Sequence, residues 1–63
     1  MGITMKAARV NAGLTQKDAA KALGISKGTL SGYEAGKVIP KMDIAKKMAT
    51  LYGVTNNDII FFD

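Results

Sequence analysis

The sequence predicts an all-α fold, a compact bundle of five helices, and three observations predict it. Gly13, Gly24, Gly36 and Gly53 each follow a stretch of helix-forming residues, where the residue past a helix C-terminus commonly stands. Between these stops come start signals: Thr15 with Asp18 three residues on, Ser26, and Thr55 with Asp58 three residues on, the spacing of a capping box. Apolar residues recur at 3.6-like intervals, and no segment sustains the period-2 alternation of a strand, so no sheet is expected.

Taken in order, the helices are expected over about 4–12, 16–23, 27–35, 42–52 and 56–60. The first carries Met5, Ala8 and Ala12 on one side, the second Ala19, Ala20 and Leu23, and the third Leu30 and Tyr33. Pro40 disfavours helix at Ile39 and can lead into the fourth, whose core face is Met42, Ala45, Met48, Ala49 and Tyr52. Leu14, Ile25, Val54 and Ile59 lie at or near helix ends and plug the gaps between them. All of these, the methionines included, are expected to be core and carry no chemistry.

Sixty-three residues allow one domain, 1–63, which buries only roughly 60% of the surface its unfolded chain exposes. There is no cysteine and no histidine, and the five carboxylates are scattered. Thiolate catalysis, imidazole chemistry and a clustered metal site are therefore excluded on composition, and neither an enzyme nor a cofactor is expected. No apolar run spans a bilayer and the start lacks a signal peptide, so the expected address is the cytoplasm. The net charge is +4 and unevenly placed. Residues 1–41 hold seven cations against two acids, a net of +5, whereas residues 42–63 are net −1. That asymmetry suggests an anionic partner met through the first part; an ordinary solvated surface fits the same numbers.

Residues 16–35, QKDAAKALGISKGTLSGYEA, form one object. A turn as short as Gly24-Ile25-Ser26 makes two helices cross steeply. Ala20 is small enough for their contact, Gly24 tolerates positive φ, and Ala19, Leu23, Ile25, Leu30 and Tyr33 meet in the angle. The second of these helices holds Gly28 and Gly32, each costing about 0.8–1.0 kcal/mol relative to Ala. Residues 27, 28, 31, 32 and 35 share a face opposite Leu30, with nothing apolar on it larger than Ala35.

This pattern resembles the helix-turn-helix of the lambda-repressor and Cro family, the Xre family of bacterial and phage regulators. The resemblance rests on Arg9, the run Gly13-Leu14-Thr15-Gln16, Ala20, the turn at 24–26, Tyr33-Glu34-Ala35-Gly36-Lys37, Pro40 and Tyr52-Gly53-Val54, and covers Met5 to Ile60. It implies a bundle of four or five helices that binds duplex DNA sequence-specifically, usually as a homodimer, with the second helix of the unit in the major groove. Carried over by position, the base-facing residues are Lys27, Gly28, Ser31 and Gly32, with Gln16 reaching in from one side. Lys27 can donate to guanine O6 and N7, Gln16 can pair with adenine or hold a phosphate, and Ser31 can do either weakly. The glycines admit close backbone approach but read nothing, so part of the specificity is expected from DNA shape. Simple tolerance of glycine on a solvent face is the alternative.

Thr15, Gln16 and Lys17 at a helix N-terminus, with Lys37 and Lys41 beyond the recognition helix, are the expected phosphate contacts. The resemblance makes Arg9 and Glu34 a structural ion pair between the first and third helices; a free phosphate contact is the alternative for Arg9. Ile44 and Leu51, off the core face of the fourth helix, and Ile60, Phe61 and Phe62 near the end are expected to form a homodimer patch. A tail folded over its own bundle would account for the last three instead. The function expected is that of a Cro-like repressor acting on a two-fold-symmetric operator. An antitoxin or another protein-interaction module on the same fold is the alternative.

Overall fold

The computed structural model describes residues 2–55 and 57–61. The order of elements is β1 (Ile3–Thr4), α1 (Met5–Asn11), α2 (Gln16–Leu23), α3 (Lys27–Glu34), α4 (Met42–Tyr52) and β2 (Ile59–Ile60). Local chemistry accounts for the helix starts. Thr4, Thr15 and Ser26 each hold extended backbone at the N-cap, and their hydroxyl oxygens accept from the amides of Ala7, Asp18 and Thr29 at 3.0–3.1 Å. α4 begins after the buried Pro40 with no side-chain cap at Lys41.

The helix ends share one device. Past α2, Gly24 turns left-handed (φ 74°), its amide reaches Lys21 O at 3.2 Å and the Ile25 amide reaches Ala20 O at 3.0 Å. This paired closure ties off the last carbonyls, and a side chain at that φ would be strained. The same two-bond pattern recurs at Gly13, Gly36 and Gly53.

The core gathers Met5 and Ala8 from α1, Ala19, Ala20 and Leu23 from α2, Leu30 from α3, Met48, Ala49 and Tyr52 from α4, and Ile59. Leu30 and Met48 are sealed completely and sit at its centre. Leu14, Ile25, Tyr33 and Val54 close its edges half-buried.

Four helices are present among the described residues, not five, and the expected absence of a sheet is overturned as well. β1 and β2 pair in parallel, Ile3 opposite Ile59 and Thr4 opposite Ile60, and the Ile3 amide donates to Asp58 O at 2.7 Å. At the expected fifth helix, Thr55 Oγ1 does bond Asp58 Oδ2 at 2.8 Å, and the Asp58 amide returns to Thr55 O. That turn closes and goes no further. Ile59 and Ile60 are β-branched, and pairing with the start of the chain satisfies backbone groups that an isolated short helix would leave open.

Two expected core residues also lie outside it. Ala12 is the exposed C-cap of α1, and Met42 is 68% exposed. Met42 stands at the first helical position on the margin of the apolar stripe, and a helical side chain points back toward the N-terminus, here past the end of the bundle.

Candidate nucleic-acid interface

α2, the turn 24–26 and α3 form the two-helix unit, with α3 packed against α2 over Ala19, Ala20, Leu23 and Leu30. That packing uses only one side of α3. Lys27, Gly28 and Ser31 are exposed and Gly32 is half-buried. A Cβ built on Gly32 would meet nothing within 4 Å, and one on Gly28 would meet only the Ser26 hydroxyl at 3.9 Å. Neither glycine has positive φ. Nothing inside the described molecule therefore requires glycine at these two positions, and the helix carries their conformational cost without internal return.

The other side of α3 is tied to α1 and α2 through Glu34. Arg9 Nε donates to Glu34 Oε2 at 2.8 Å, and Arg9 Nη1 donates to the Leu14 carbonyl at 2.8 Å. Gln16 Nε2 donates to Glu34 Oε1 at 2.9 Å. The Arg9 and Glu34 side chains are 9% and 5% exposed, so the pair lies within the packed seam. Charge-assisted bonds in such a place are strong and directional. α3 is thereby fixed to α1 at its C-terminal end and to the N-terminus of α2 at once.

Tyr52 stands beside this hub. Its hydroxyl is buried and has no hydrogen-bond partner among the described residues. Desolvation pushes its pKa up to about 12; the negative charge of Glu34 adds to the rise and Arg9 opposes it.

Thr15, Lys17, Lys37 and Lys41 are all exposed, and Arg9–Glu34 is the one ion pair among the described residues, so the lysines stand uncompensated. The Thr15 hydroxyl caps α2 as an acceptor and keeps its own O–H to donate. Gln16 is the exception in the expected set. It is half-buried, with part of its donor capacity committed to Glu34.

Of the expected homodimer patch, Ile44, Leu51 and Phe61 are partly buried against their own core, Ile60 is exposed, and Phe62 lies outside the described residues. The larger apolar exposures are elsewhere: Val38, Ile39 and Met42 at 55–68%, and Val10 on α1. The sequence did carry a signal for the first of these, an apolar Val38-Ile39 pair in a loop with no helical face to join. No group of three or more potential metal-ligating side chains occurs among the described residues, and no helix there is long and apolar enough to cross a membrane.

Comparison with known proteins agrees with this geometry. The family described as helix-turn-helix matches residues 5–55. An uncharacterized HTH-type transcriptional regulator of Methanocaldococcus jannaschii is 42% identical over 50 residues, covering 79% of this chain and 76% of the relative. The HTH-type transcriptional regulator ImmR of Bacillus subtilis is 38% identical across 95% of this chain, and the cryptic phage CTXphi transcriptional repressor RstR of Vibrio cholerae 35% across 82%. The match spans only 47% of each of these last two proteins. No solved structure gives a significant match.

Proposed function

The chain belongs to the helix-turn-helix family of DNA-binding transcriptional regulators, Xre-like in kind, and on that premise we propose that it is a Cro-like repressor that binds a two-fold-symmetric operator as a homodimer. α3 lies in the major groove in this reading. Lys27, Gly28, Ser31, Gly32 and Gln16 face the bases, while Thr15, Gln16, Lys17, Lys37 and Lys41 hold phosphates. The observation that carries it is the free side of α3: a polar, basic-flanked face, held rigidly from behind, whose two glycines serve no internal need. Absence of Cβ there lets the helix backbone come close to the base edges, and direct readout falls mainly on Lys27, Ser31 and Gln16. The name of RstR supports repression as the sense of regulation.

The homodimer in this reading draws on apolar side chains that the core covers only in part. Ile44, Leu51, Ile60, Phe61 and Phe62 are joined in this reading by Val38, Ile39 and Met42, which are among the most exposed large apolar side chains of the described residues. A second copy seated there gives two recognition helices about 34–36 Å apart, one turn of DNA. Sedimentation of the free protein at tens of micromolar checks it, and a monomeric mass counts against the patch.

Selection of random duplex DNA at two salt concentrations tests the whole reading. Enrichment of a two-fold motif with half-sites one turn apart is expected, with affinity falling steeply as salt rises. Salt-sensitive binding that enriches no motif would instead favour the protein-interaction alternative.

A further inference from the structure

α2 and α4 leave an open trough between them. Ala22 and Leu23 of α2 line it with Lys46, Lys47, Thr50 and Leu51 of α4, and it encloses about 500 Å³. Leu23 is buried and Leu51 half-buried, while Ala22, Lys46, Lys47 and Thr50 are exposed. Leucine, alanine and the methylene stems of lysine make such a lining mainly apolar, and the two ammonium groups make its rim basic. No acidic residue lines it. Asp43 stands one turn before the lysines on α4 and Asp18 one turn before Ala22 on α2, yet neither pairs with Lys46 or Lys47, since Arg9–Glu34 is the one ion pair among the described residues.

This surface is separate from the proposed DNA-binding face. Ala22 lies six residues beyond Gln16, a rise of about 9 Å along α2 from the end assigned to phosphate. Lys46 and Lys47 are also the only cations of residues 42–63, outside the basic part of the chain. A phosphate backbone would answer their charge and leave the apolar floor between α2 and α4 unanswered.

We infer that the trough is the docking site of an acidic amphipathic helix carried by a protein partner. The apolar side chains of that helix lie between α2 and α4, over Ala22 and Leu51, and its carboxylates meet Lys46 and Lys47. A helix suits the site because it presents apolar residues at i, i+3, i+4 and i+7 as one stripe with charged residues along its border. The small side chain of Ala22 keeps the α2 wall low enough to admit it. The inference adds a protein-binding surface to the DNA reading and does not rest on it. Leu51 belongs both to the trough and to the proposed homodimer patch, so the test has to separate a partner helix from a second copy of the chain.

Random peptides of about four helical turns, displayed on phage, are selected against the full chain. The enriched peptides are then synthesised and titrated onto the unaltered protein, onto Ala22→Glu and onto the double variant Lys46→Glu/Lys47→Glu, with the 15N amide spectrum recorded for each. All three positions are exposed, so these changes leave the core intact. The enriched peptides should carry an apolar stripe at helical spacing bordered by Asp or Glu. Their affinity should fall by about tenfold in each variant, and the amides of Ala22, Lys47 and Leu51 should shift on titration of the unaltered protein. Enrichment of no such peptide would overturn the proposal, as would acidic peptides that bind both variants as tightly as the unaltered chain. Trough amides that shift with protein concentration alone and no longer respond to peptide would assign the surface to a second copy. Trough amides that shift with duplex DNA and not with peptide would assign the lysines to phosphate. Either result overturns the partner helix, and the motif selected from random duplex DNA stands or falls independently of it.

Discussion

The two sides of α3 are built on opposite terms. On the inner side Leu30 is sealed in the core and Glu34 takes bonds from Arg9 and Gln16. On the outer side Lys27, Gly28 and Ser31 are exposed, and no neighbouring atom of the fold requires Gly28 or Gly32 to lack a side chain. One eight-residue helix thus has a face over-determined by its own molecule and a face left for another. The contrast teaches how a marginal 63-residue chain can carry two helix-weakening glycines: the helix is held by tertiary bonds, so its propensity is free to serve something else.

The sharpest way to break the inner face is Arg9→Ala. It leaves Glu34 buried and uncompensated, and a loss of about 3–5 kcal/mol is expected, read by denaturant unfolding. A chain of this size can unfold under such a loss. Alkaline pH attacks the same region less severely. The Tyr52 hydroxyl titrates near 10 when unfolded and about 12 when folded, so its contribution is complete below pH 10 and is lost as pH rises through 12. The loss is on the order of 2–3 kcal/mol. Unfolding curves between pH 9 and 12 should show it, and Tyr52→Phe should flatten that part of the profile.

Thr15→Ala tests the edge between the faces, since Thr15 caps α2 and also offers its O–H outward. A stability loss of about 1 kcal/mol is expected, together with weaker DNA binding that is uniform across sequences. The smallest effect sharpens the contrast most. Gly32→Ala adds a methyl into open space and should raise stability by about 0.8–1.0 kcal/mol while lowering affinity for the selected duplex. Higher stability with unchanged affinity would mean that the outer face makes no close approach.

Much of this was legible along the chain. Thr15 and Ser26 announce helix starts, and the glycines at 13, 24, 36 and 53 announce stops, because caps and left-handed closures act within a few residues. The two-helix unit, being local, was readable for the same reason. The tail was not. Thr55 and Asp58 carry a start signal and do form their bond, yet whether a helix follows depends on Ile3 and Thr4 at the far end of the chain. Met42 was misplaced because periodicity assigns a face and does not say where the facing bundle ends.

By itself the sequence determined the limits of the first four helices to within a residue, the two-helix unit and the basic character of residues 1–41, since each follows from spacing, capping or charge within one stretch of chain. Only the tertiary structure decided that the chain ends pair as strands, which apolar side chains remain outside, and that Gln16, Glu34, Arg9 and the Leu14 carbonyl join in one line of bonds. Those depend on where α1, α2 and α3 meet, which no single stretch of chain encodes.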